Sequence, residues 1–89
     1  MTSHDQQRIA KLVSEFVDSC GFEPPFYVIA IGSNGSVSVS RHSDSDVELI
    51  CSHNAGPGMV SPITVAVVSE KDGRGRSAKI EIVAPGRMQ

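Results

Sequence analysis

The best candidate for metal binding or proton transfer is a polar cluster between positions 42 and 53: His42, Asp44, Asp46, Cys51 and His53. Imidazole, thiolate and carboxylate are all zinc ligands, and Cys51 and His53, two apart on a strand, point the same way. A structural zinc box would show paired Cys/His clusters at close spacing, and this sequence has none. Turn carboxylates, a surface histidine and an inert thiol account for the same letters, so no metal and no other cofactor is expected. Cys20 and Cys51 are both expected at a helix–sheet interface, either joined or as buried thiols. Thiolate catalysis needs a base and an electropositive surrounding, which no residue clearly supplies.

The hydroxyls of Ser36, Ser38 and Ser40 form a row next to His42, but a row on a strand is not a catalytic triad, and no nucleophile-elbow motif is present. Gly32-Ser33-Asn34-Gly35 and Gly73-Arg74-Gly75-Arg76 look like phosphate loops, yet neither opens a helix whose N–H groups could hold the phosphate. The second lies in a basic segment, and Lys71, Arg74 and Arg76 are candidate anion contacts, with a solvated hairpin tip as the plainer account. These letters argue against an enzyme.

The elements that position these residues can be read from periodicity. Ile9, Leu12, Val13, Phe16, Val17 and Cys20 form one helical stripe, and the helix is expected over about 4–20. Gly21 can end it in a left-handed conformation, and Pro24 and Pro25 prevent its continuation. The period then becomes two. Strands are expected at about 26–32, 36–42, 46–52, 62–68 and 78–83. The first and fourth are apolar on both sides, which suits strands that are buried on two faces or that meet a partner. Asn34-Gly35 signals a two-residue hairpin that would pair Ala30 with Val39 and Ile31 with Ser38. A three-residue loop at 43–45 would then pair Val39 with Leu49 and Val37 with Cys51.

The expected fold is α+β: one N-terminal amphipathic helix packed on a four- or five-stranded antiparallel β-meander, in a single domain spanning 1–89. The close approach of the helix is expected over Ala30 and Gly32.

With 89 residues, 39% of them hydrophobic, the chain is of ordinary globular composition. Its net charge of −2 argues against nucleic acid as a partner. The balance is uneven, acidic through residue 70 and basic from Lys71 onward. No run of about 18 apolar residues suggests a membrane span. The first residues are polar rather than a leader's apolar core, and a cytoplasmic location is the expectation.

One helix about 10 Å wide covers two or three strands spaced about 4.8 Å apart, not five. The opposite sheet face should therefore seek a partner. It is expected to carry Tyr27, Ile29, Ile31 and Ile50 with Ser38, Ser40 and His42 between them, joined by Val68 and Val83. A small non-enzymatic interaction module, a homodimer through its sheet or a binder of another protein, is the leading reading. A sensor of a small molecule or anion, with loop 52–61 as a lid, is the alternative; a metal-dependent or thiol enzyme is a distant third.

Overall fold

A computed structural model describes residues 3–56 and 58–82. Helix α1 spans Ser3–Cys20, followed by strands β1 (Phe26–Ile31), β2 (Val37–His42), β3 (Val47–His53), β4 (Ile63–Ser69) and β5 (Gly75–Ile80). The strands form one antiparallel sheet in the order β3-β2-β1-β4-β5, and α1 packs on one face of it. The two strands that are apolar on both sides, β1 and β4, lie next to each other in the middle. The chain steps from the β3 edge to the free side of β1 through residues 54–62.

The last strand begins earlier than its apolar pattern suggests. A turn closed by Ser69 N–H to Arg74 O (2.7 Å) and Gly73 N–H to Ser69 O (3.0 Å) starts it at Gly75, and Val83 lies outside the described residues. Gly73 takes φ +72° there, a conformation that favours glycine.

The core is the helix stripe against the odd positions of β4. Ile63, Val65 and Val67 have no exposed surface, and Ile9, Phe26, Val28 and Ala30 close around them. Val13, Phe16, Val17, Cys20 and Phe22 pack on this cluster from α1 and the segment after it. Gly21 has φ +68°, ending the helix as expected. The helix lies over β4 and β5, not over Ala30 and Gly32. What approaches Gly32 is the 54–62 segment: a Cβ built there would lie 3.1 Å from Val60 N and 3.3 Å from Met59 Cβ.

The first hairpin differs from expectation by one residue, with large consequences. Gly32 N–H donates to Ser36 O (2.8 Å), and Gly35 N–H donates to Gly32 O (3.0 Å). This is a three-residue turn in which Gly35 alone takes positive φ, at +90°, and Asn34 does not. Asn34 uses its side chain instead: Oδ1 accepts from Ser36 N–H (3.1 Å), and Nδ2 donates to Gly58 O (2.9 Å). The pairing becomes Ile31 with Val37, Ala30 with Ser38, Val28 with Ser40 and Phe26 with His42. Every β2 side chain therefore lies on the opposite face from the one a two-residue turn would give.

The second hairpin also departs from expectation. Its loop has four residues, closed by Ser43 N–H to Asp46 O (2.9 Å), and pairs His42 with Val47 and Ser40 with Leu49. Ile50 is then an extra residue, a β-bulge, after which Val39 pairs with Cys51 and Val37 with His53.

Candidate functional site

The corrected register divides the residues expected on one face. Ser38, Ser40 and His42 stand on the helix side of the sheet with Phe26, Val28 and Ala30; Tyr27, Ile29 and Ile31 stand on the other. Ile50 is the bulge residue on the β3 edge, 49% exposed. Two surfaces result.

The first is a groove of about 490 Å³ between α1 and the β1–β2 half of the sheet. Because α1 is set over β4 and β5, its near edge stops short of β2. Three rows line the groove. The helix edge supplies Ala10, Ser14 and Asp18, four residues apart and so in line, with Val13 and Val17 below them. The floor is Phe26, Val28 and Ala30, and the far wall is Ser38, Ser40 and His42. Met59 closes the end nearest the first hairpin, where Gln6 Nε2 donates to its carbonyl at 3.0 Å. At the other end the His42 ring stacks on Phe26, centroids 5.0 Å apart and planes 18° from parallel, and its Nε2 lies 3.3 Å from Ser40 Oγ.

The second surface is the face away from α1. Tyr27, Ile29 and Ile31 are flanked by Arg41, Val39 and Val37 on one side and by Val68, Ala66 and Thr64 on the other. Seven of these nine side chains are aliphatic or aromatic. No described element lies over them. At one end Arg41 makes a two-pronged ion pair with Glu70, Nε to Oε1 at 2.8 Å and Nη2 to Oε2 at 3.3 Å. The Arg41 hydrogen bonds, with help from Tyr27, hold the Glu70 carboxyl below the usual carboxylate range.

The 54–62 segment is tied to the first hairpin. The fully buried Ser36 hydroxyl donates to Gly58 O (3.2 Å) and accepts from Ala55 N–H (3.0 Å), and Ser33 N–H donates to Val60 O (2.9 Å). Among its described residues this segment contributes Met59 to the groove.

The remaining candidates are dispersed. Cys51 and His53 stand with Val39 and Val37 on the far face, away from His42, and Asp44 and Asp46 lie in the exposed loop. Among the described residues no three His, Cys, Asp or Glu side chains gather where they could hold a metal. Cys20, the last residue of α1, is half-buried against the core and Cys51 is exposed, both as free thiols, so the expected shared position at the helix–sheet interface does not occur. Lys71, Arg74 and Arg76 are exposed around the β4–β5 turn. Lys71 Nζ lies 3.5 Å from Glu23, and Asp72, its carboxyl lowered chiefly by the Arg74 backbone N–H it accepts, holds the turn closed. No described helix is long and apolar enough to cross a membrane.

No protein-family model, curated protein or solved structure matches the chain. Its function has to be argued from these two surfaces. The sequence reading missed Val37, Val39 and Ala66 on the far face and the helix edge Ala10, Ser14, Asp18 beside the groove. The first two follow from the turn length; the helix edge was visible as a run of small and polar residues at four-residue spacing.

Proposed function

We propose that this protein is a small non-enzymatic interaction module that self-associates through the sheet face opposite α1. The observation that carries the reading is the apolar surface of Tyr27, Ile29, Ile31, Val37, Val39, Ala66 and Val68 across three adjacent strands. Its replacement of Ser38, Ser40 and His42 by Val37, Val39 and Arg41 makes the face more apolar than the sequence suggested. Exposed patches of this kind on a small protein mark interaction sites.

Size supports a second copy as the occupant. Five strands about 4.8 Å apart and about six residues long present roughly 24 × 20 Å per face, more as accessible surface. That is the scale of a standard interface, about 800 Å² per partner. Two such sheets stack about 10 Å apart, and a two-fold axis brings the same patch together from both copies. The Arg41–Glu70 pair at the rim is already neutralised within one copy, so it sets no like charges against each other.

The test is Ile29→Lys, which puts a charge in the middle row of the central strand. The parent should sediment as a concentration-dependent dimer and the variant as a monomer with the parent's circular dichroism. A parent that stays monomeric from micromolar to millimolar concentration overturns the reading.

A further inference from the structure

We infer that the groove beside α1 is a binding site for an elongated organic cation, an amine with a linear apolar tail. The inference concerns the face opposite the self-association surface and does not depend on that reading.

Size and shape suit a small elongated molecule. The groove runs from Ala10 to Asp18, eight residues or about 12 Å of helix. Its volume of about 490 Å³ is within the range of small-molecule sites, about 300–1,000 Å³.

Polarity runs lengthwise and sets the ligand's direction. The end beside Met59 and Ala30 is lined mainly by apolar side chains. The other end holds Asp18 and the His42 ring. Asp18 is in the last turn of α1, where the helix's carbonyl ends already give a partial negative charge, and no basic residue occupies that turn. A carboxylate there works against the helix it belongs to. Among the described residues Asp18 has no ion-pair partner. Carboxylate and helix terminus therefore present the same sign to the mouth of the groove, and a cation satisfies both. Ser14 and Ser40 offer hydroxyls midway, where an ordered water or a second polar group of the ligand can bond.

The test uses the full chain and n-alkylamines from butylamine to decylamine below their aggregation concentrations, with alkanols and alkanoates of equal length as controls. Calorimetry should show amines binding one to one. Affinity should rise about fourfold per methylene, at about 0.8 kcal/mol each, and level off once the tail outruns the groove. Alkanoates should not bind. Asp18→Asn should weaken octylamine about two- to fivefold and leave octanol unchanged, since Asp18 is exposed and an exposed ion pair contributes up to about 1 kcal/mol. Ser14→Leu, at an exposed helix position beside the groove, should abolish binding of both while the protein melts as the parent does. Ile29→Lys should bind as the parent does, which separates this site from the other face. Equal affinity for amine and alkanoate, or amine binding untouched by Ser14→Leu, overturns the inference, as does the absence of saturable binding.

Discussion

Ser36 should be a more costly position to change than Gly35, although Gly35 is the residue with the unusual backbone. The Ser36 side chain has no exposed surface and makes two hydrogen bonds that tie the 54–62 segment to the first hairpin. In Ser36→Ala the Gly58 carbonyl keeps its bond from Asn34 Nδ2, but the Ala55 N–H loses its partner. A lost hydrogen bond with one group left unmatched costs about 1–2 kcal/mol. Ser36→Val adds bulk to a filled site, for about 1–3 kcal/mol more. Gly35→Val must hold a β-branched residue at φ +90°, about 1–3 kcal/mol, but meets only Ala55 Cβ at 3.8 Å. The expected order is therefore Ser36→Val, then Gly35→Val, with Ser36→Ala isolating the hydrogen-bond part. Urea melts read this directly. With a slope of about 1 kcal/mol per molar for a chain this short, Ser36→Ala should lower the midpoint by about 1–2 M. A two-residue turn with Ser36 merely flanking it demands the reverse order. Ser36→Ala at the parent's midpoint, or Gly35→Val unfolding before Ser36→Val, refutes the turn and the tie described above.

Phe16→Ala should destabilise by about 2–4 kcal/mol, below the usual range for a buried Phe because Phe16 is only partly covered; a melt within error of the parent shows that α1 does not dock by this stripe. Glu70 has a lowered folded pKa, so its contribution is present above the unfolded carboxylate value and is lost as pH falls through the folded one. Glu70→Gln should therefore lower stability slightly at neutral pH and flatten the acid-side decline by the same small amount, the pair being exposed; parallel acid limbs in the two proteins contradict this.

Much of the fold was legible because its signals are local and redundant. Six apolar residues at helical spacing, a glycine stop and a proline pair define α1 without reference to the rest of the chain. The doubly apolar patterns of β1 and β4 marked strands with two apolar faces, and the sheet order sets the two side by side in the middle. The register was not legible. Asn34-Gly35 fits a two-residue turn with both residues at positive φ, and equally a three-residue turn with only Gly35 there. What decides is distant in sequence. Asn34 and Ser36 bond to Gly58 and Ala55, some twenty residues on, and these partners hold the longer turn. The loop at 43–46 failed for a related reason, since matching apolar rows across β2 and β3 assumed an unbroken ladder, and the bulge at Ile50 supplies the change of face instead.

The chemistry of both surfaces follows from that one turn. β2 alternates Val37, Ser38, Val39, Ser40, Arg41 and His42, so whichever face receives the even residues becomes polar and the other apolar. With Gly35 as the third turn residue, the hydroxyls and the imidazole go to the side where α1 leaves a gap, and the valines go to the side with no helix. The opposite register would line the groove with valines and scatter serines among Tyr27, Ile29 and Ile31. A groove with a polar wall suits selective recognition of a small ligand, because its hydroxyls need no partner beyond water when it is empty. An uninterrupted apolar face has no such option and gains only by being covered. The two proposals thus stand on opposite faces of the same strand, and its alternating pattern assigns a different kind of partner to each.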